Sequence, residues 1–427
     1  MLKNTFLVIF FLFIETFLLC ITASAQLRNF SFSLPLFSSA SPWNQKIINA
    51  TVVTKNDQQI LTLYQVLRGD TTGFHPVTTT PVTTWPFIDI NYNAYSVSIF
   101  AMGSSVQNVI VKDYKGNASG NTSKLPTGQN GMIQVPTSAG NIRPAGPQDT
   151  GADGHLVLFD TQTGQAYDFW QATTAQDMSG NNLGGGQTGA AILAMGAVDY
   201  FDTNGTGVNA DGISSARATG VPLLAGLILP EDIESGSINH ALGFAIPFPR
   251  NLNTADPFTP LSSDYFSPAS TTETDYYSTN PNALAAGQRI RLKQTIVNEN
   301  GQTIAESGVS PIMLMFLTAL RTYGGIVVDN AGGFSFYAED IHTGNLQLTD
   351  DQVNQLIGNT IGTQIPSNKT KWQLVLETLA RELEQIPLAF GPWTSGQDPA
   401  TASITTSNYD VVDSKGNRKR ILPGIKK

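Results

Sequence analysis

"TGADGHLVLFDTQTGQAYDFWQA" (residues 150–172) reads as two strands, 155–160 and 165–171, on either side of Thr161-Gln162-Thr163-Gly164. β-Branched and aromatic residues fill both arms and a glycine closes the turn, which is the composition of a β-hairpin. Side chains alternate across a strand. Pairing Asp160 with Gln165 therefore sets His155 opposite Trp170 and puts Asp153, His155, Asp168 and Trp170 on one face. Tyr167 and Phe169 share the other face. Asp160, just before the turn, is expected to cap it through its own carboxylate. Two readings of the first face stay open: a sugar groove with acid, imidazole and indole, or the edge of a core.

Strand signals dominate outward from the hairpin. Residues 30–37 alternate like an entry strand, and short apolar runs at 96–102, 106–112, 132–135 and 244–247 read as further strands. Residues 326–329 and 333–337 read as a second hairpin, and 287–293 as a strand. Residues 190–197 fit a strand or a buried helix, which periodicity does not separate. Pro230 with acids after it and Gly236 at its end marks a short helix. Ser310-Pro311 opens a helix that closes before Gly324, with Ile312, Met315, Phe316, Ala319, Leu320 and Tyr323 on one stripe. A second amphipathic helix covers 372–383. The expected fold is mainly β, a sandwich or jelly roll with peripheral helices. Its expected organisation is a signal peptide at 1–25, a β-rich main domain at 26–345, a helical C-terminal extension packed on it at 346–400, and a polar, then basic tail at 401–427. Glycine-rich stretches at 116–131 and 181–186 are expected loops.

Lys3, the apolar run 6–21 and Ala23-Ser24-Ala25 match a secretory signal, so the mature chain is expected to start at Gln26, to be extracellular or periplasmic, and to have no membrane association after processing. Cys20 is the single cysteine, which leaves the mature chain without disulfides, thiolate metal sites or a cysteine nucleophile. A net charge of −9 argues against nucleic acid, whose binding needs clustered cations. Charged residues are 13% of the chain against ~25% in typical soluble domains. Uncharged hydrogen-bonding side chains replace them, as suits a surface that meets sugars.

Chemistry is concentrated in few residues. His155, His240 and His75 sit beside turn-forming or small residues, and a histidine there serves either as a base or as a hydrogen-bonded core residue. No HExxH spacing supports a metal, and no cofactor is expected. Glycosidic hydrolysis needs one protonated and one ionised carboxyl group, for which Asp153 and Asp168 on the two hairpin arms are the candidates. His155 would orient them or act as an alternative base, with His240 nearby. Trp170 and Tyr167 would contact sugar, and Tyr337 and Glu339 would join them. Arg289 and Arg291 flank Ile290 on one strand face, where paired guanidinium groups could clamp a uronate and favour β-elimination; a solvated strand face is the alternative.

Six segments together resemble a family of secreted bacterial proteins of undefined function: 41–44 (SPWN), 153–157 (DGHLV), 167–172 (YDFWQA), 220–228 (GVPLLAGLI), 240–242 (HAL) and 336–340 (FYAED). The resemblance spans residues 41–340 and implies secretion and a shared fold, and it transfers no activity. The expected function is cleavage of glycosidic bonds in an extracellular polysaccharide, hydrolysis ahead of elimination. The competing expectation is a non-catalytic glycan-binding or surface structural protein.

Overall fold

Runs of β-branched and aromatic residues, punctuated by glycine, proline and asparagine, supply most of the regular structure. A computed structural model describes residues 27–67, 74–75, 85–102, 105–112, 132–135, 153–170, 172–174, 190–195, 198–209, 215–297, 302–358, 365–385 and 408–413. The expected signal segment, the glycine-rich stretches 116–131 and 181–186 and the basic end of the tail lie outside the described residues. The strands are Thr51–Val52 (β1), Phe74–His75 (β2), Trp85–Asn91 (β3), Ser98–Ala101 (β4), Ser105–Lys112 (β5), Met132–Val135 (β6), Leu156–Asp160 (β7), Gln165–Phe169 (β8) and Ala172–Thr174 (β9). They continue as Ala190–Met195 (β10), Val198–Asp202 (β11), Leu242–Ile246 (β12), Tyr277–Ser278 (β13), Arg289–Leu292 (β14), Gly325–Asn330 (β15), Gly333–Tyr337 (β16) and Tyr409–Asp413 (β17). Five α-helices are described: Asn56–Leu67 (α1), Pro230–Glu234 (α2), Pro311–Thr322 (α3), Asp350–Leu356 (α4) and Lys371–Gln385 (α5).

The fold is mainly β, built on a seven-stranded sheet in the order β1-β17-β14-β15-β12-β16-β3. Alternation along its strands loads both faces. Phe244, Val327, Phe334 and Phe336 turn to one side, where Ile60 and Leu63 of α1, Phe316 and Leu320 of α3, Val353 of α4 and Val375 and Leu379 of α5 complete a core. Each such side chain, fully buried, contributes about 1.5–3 kcal/mol from apolar burial. Ala245, Ile326, Val328 and Tyr337 turn to the other side and meet Val157 and Phe159 of β7 together with Leu223, Leu224 and Leu227. β7 belongs to a four-stranded sheet, β11-β8-β7-β4, and a second four-stranded sheet runs β6-β5-β10-β9.

The hairpin forms in the expected register, with Asp160 opposite Gln165 and Val157 opposite Asp168. Asp160 caps the turn by accepting from the amides of Gln162 and Thr163. Ser310 caps α3 by accepting from Met313 N, and Gly324 ends the helix region at φ 77°. Residues 190–195 are a strand.

Several expectations are corrected. The main sheet is mixed: β12 pairs with β15 and β16 with β3 in parallel, so its pairing is not that of an antiparallel jelly roll. Strands β15 and β16 do not form a hairpin, because β12 lies between them. Residues 30–37 bury Phe32 and partly bury Phe30, Leu34 and Leu36 as alternation implies, but Phe37 is buried out of phase at φ 69°, and the segment joins no ladder among the described residues and lies as an irregular strap. Helices α4 and α5 pack against the main sheet and contribute Val353, Val375 and Leu379 to the first core. Within the expected solvated tail, Tyr409–Asp413 sits between β1 and β14 with Tyr409 and Val411 fully buried. Deleting residues 401–427 therefore removes an interior strand. The truncated chain is expected to lose its cooperative thermal transition, as read by near-UV circular dichroism.

Candidate active site

The hairpin face that carries Asp153, His155, Asp168 and Trp170 points into the second core. His155 is 1% exposed and Asp168 0%, whereas Asp153 and Trp170 are half-buried at the rim. The middle of this face is therefore buried, with Asp168 inside and Trp170 toward its edge. Asp168 Oδ2 accepts from the Leu223 amide at 2.6 Å and so fastens the 222–229 loop to the hairpin. The loop crosses β12 so closely that a Cβ on Gly226, at φ 72°, would sit 2.2 Å from Gly243 N.

That loop wraps Arg217, a fully buried guanidinium whose Nη1 donates to the carbonyls of Pro222 at 3.2 Å and Ala225 at 3.3 Å. Its carbon lies 4.5 Å from the centre of the Tyr337 ring. Nε and Nη2 have no hydrogen-bond partner among the described residues. Burial lowers the Arg217 pKa, while Tyr337, Asp329, Asp168 and Asp153 pull it up, so these groups share one electrostatic neighbourhood. Asp329 reaches this side through an irregularity: the register between β12 and β15 shifts after Phe244–Val327, and Ala245 then faces Asp329. Simple alternation would have sent Asp329 to the helix side with Val327.

Burial pushes the Asp329 carboxyl up to about 8, with Arg217 opposing and the charges of Asp153 and Glu273 reinforcing. Burial pulls the His155 imidazole down to about 4 against Asp153, with Arg217 adding to the fall, so the ring is neutral at pH 7. Burial also raises the Tyr337 phenol. The cluster therefore presents a protonated carboxyl, a neutral imidazole, a phenol and a guanidinium with two open donor positions. Arg217 and Asp329 were missed from sequence. Asp329 stands alone as a carboxylate at the end of an apolar run, Ile326-Val327-Val328, and Arg217 stands among Ser, Ala, Thr and Gly; these are the signals that mark them.

The remaining predicted residues are elsewhere. His240 Nε2 lies 3.1 Å from Asp232 Oδ2 and Nδ1 lies 2.9 Å from the Ala241 carbonyl; burial opposes its protonation but Asp232 raises its pKa. Glu339 is fully buried and accepts from Arg28 Nε at 2.8 Å, which makes it an internal ion-pair partner and not a sugar contact. Arg289 and Arg291 form no clamp. Arg289 donates to the carbonyls of Pro42 and Gln45, and Arg291 to those of Ile47, Ile48 and Ala50 and to Asp410, so both tie the 42–50 segment to β14. Burial without a carboxylate partner takes Arg289 down to about 9. Tyr167 is buried on the opposite hairpin face, its hydroxyl 3.3 Å from Gln165 Oε1. Among the described residues no group of three or more His, Cys, Asp or Glu is placed to hold a metal ion.

Compared with family models, with curated proteins and with solved structures, the chain matches none of them.

Proposed function

We propose that this is a secreted carbohydrate-active enzyme that hydrolyses glycosidic bonds of an extracellular polysaccharide at the Arg217 cluster. The observation that carries the reading is the unlike pair of carboxyl groups there. Asp329 holds its proton near neutrality, and Asp153 acts on its neighbours as a negative charge from the half-exposed rim. Hydrolysis requires one carboxyl group to give a proton and another to take one. Asp329 donates its proton to the glycosidic oxygen as the bond from C1 breaks. Asp153 takes the proton of the water that adds to C1, and proton exchange with solvent restores the pair. The buried Arg217 charge opposes the rise in the Asp329 pKa, and Asp168 keeps the 222–229 loop, and with it Arg217, in position.

Local charge favours hydrolysis over β-elimination. Elimination begins with a uronate carboxylate, yet Asp153 and Asp168 already place two negative charges against the single positive charge of Arg217. A second acceptor-rich anion would meet net repulsion, whereas a neutral sugar oxygen would not. We propose likewise that the β7–β8 sheet and the main sheet stack as a sandwich, supported by the second core, which gathers Val157 and Phe159 with Ile326 and Val328. The deep burial of His155, Asp168 and Tyr337 favours the competing reading, a non-catalytic glycan-binding or structural protein.

Incubating the purified mature chain with neutral and uronate polysaccharides, and reading both reducing ends and unsaturated uronate absorbance, separates these. New reducing ends from a neutral polymer are expected. Unsaturated products would replace hydrolysis by elimination, and no product from either set would leave the non-catalytic reading.

A further inference from the structure

The irregular segment 251–276 contains three of the eight exposed large apolar or aromatic side chains among the described residues: Phe258 at 66% exposure, Leu261 at 46% and Tyr276 at 53%. Exposing two rings to water on one loop costs free energy that a ligand face recovers. The backbone that displays them is held rather than loose. Asn251 Nδ2 donates to the carbonyls of both Pro257 and Glu273 at 3.0 Å, which ties the residue before Phe258 to the limb that leads to Tyr276. Asp264 Oδ2 accepts from the amides of Leu252 and Leu261, Asp256 caps Phe258 N, and Asn253 Nδ2 reaches the Thr259 carbonyl at 2.7 Å. Rings carried on a backbone held in this way lose less entropy on binding than rings on a loose loop.

The same segment leads back to the Arg217 cluster. The amides of Ser270 and Thr271 donate to the Thr219 carbonyl two residues from Arg217, and the charge of Glu273 is felt at Asp329. Residues 251–276 include no lysine or arginine, and their charges are Asp256, Asp264, Glu273 and Asp275. An anionic lipid surface or an acidic peptide would find no cation there. The uncharged polar residues of the segment include Asn253, Thr259, Ser262, Ser263 and Thr274, which suit hydroxyl groups. We propose that Phe258 and Tyr276 form a carbohydrate-stacking platform that holds a polysaccharide strand outside the Arg217 cluster. The inference rests on the polysaccharide reading above and adds a second contact region to it.

The test measures depletion of the full mature chain from solution by insoluble cellulose, chitin and xylan, in an Asp329→Asn background so that cleavage does not erode the polymer. The parent is expected to bind at least one polymer. Phe258→Ala and Tyr276→Ala should each weaken that binding about tenfold, Tyr276→Trp should preserve it, and an unchanged thermal midpoint should exclude misfolding. Binding by both alanine variants as strong as the parent's, failure of the parent to bind any of the three, or capture by phosphatidylglycerol vesicles in their place would overturn the platform. Its failure is distinguishable from that of the hydrolysis reading. Polymer binding lost in the alanine variants, with no reducing ends released by the wild-type chain, keeps the platform and removes the enzyme. Reducing ends released while the alanine variants bind unchanged does the reverse.

Discussion

Asp329→Asn is expected to lower kcat on a cleaved polysaccharide by about 10²–10⁴-fold, the usual contribution of a positioned general acid. The amide keeps the shape of the side chain but carries no transferable proton. In the wild-type chain the alkaline limb of the kcat/KM profile should fall through about pH 8, where Asp329 loses its proton, and the residual activity of the variant should lack that limb. Stability provides a second readout that does not depend on substrate. The folded pKa of Asp329 lies above its unfolded value of 3.8, so below pH 4 both states hold the proton and the group has no effect. Between pH 4 and about 8 the folded state alone holds it, and stability falls as pH rises by up to about 1.4 kcal/mol per pH unit from this group. The asparagine variant should therefore unfold at a higher temperature than the wild type at pH 8.5 and at a similar one at pH 4. His155 acts in the opposite sense. Its folded pKa near 4 lies below 6.5, so its neutral form supports the fold above pH 6.5 and loses that support as pH falls through 4. A variant that loses activity but keeps the wild-type dependence of melting on pH would show that Asp329 is not the buried protonated acid.

The same cluster shows what a sequence reader can and cannot see. The register of the hairpin is local information: an Asp160 turn cap and Gly164 pin it, and alternation then assigns the faces of His155, Asp168 and Trp170. Helix α3 is equally local, since Ser310-Pro311 and Gly324 mark its ends. What fills the space opposite a strand face is set by partners far along the chain. Arg217 and the 222–229 loop close over Asp168 from about fifty residues away, so a face with the composition of a groove is largely a core. Asp329 was hidden by one register shift, which turns it out of its expected face. Arg289 and Arg291 do reach toward one region as alternation suggests, but the acceptors they find are the chain's own carbonyls at 42–50. Strand β17 has only five residues, and both of its neighbours are more than a hundred residues away, so no local pattern distinguishes it from a polar tail.

Arg28→Ala should cost about 3–5 kcal/mol, the typical penalty for removing one partner of a buried charge group. Arg28 is the clasp of the strap at 27–37. Its Nη1 and Nη2 donate to Glu231 at 2.6 and 2.5 Å and its Nε to Glu339 at 2.8 Å, with all three side chains almost wholly buried. Burial works against its charge, and the two glutamates more than offset that. Phe30 and Phe32 pack beside the guanidinium and against Phe159 of β7, so the clasp also presses the strap onto the hairpin that carries His155. Without Arg28 two carboxylates stay in the interior. Burial already pushes Glu339 up to about 7, and loss of the cation raises it further, so the variant can escape part of its penalty by binding a proton. Because the folded pKa is the raised one, that relief is complete in acid and disappears as pH rises. Thermal unfolding should show a smaller gap between variant and wild type at pH 5 than at pH 8, and adding Glu339→Gln should narrow the gap at pH 8. An equal gap at both pH values would mean that the lost contribution is strap packing, with the buried charge playing no part.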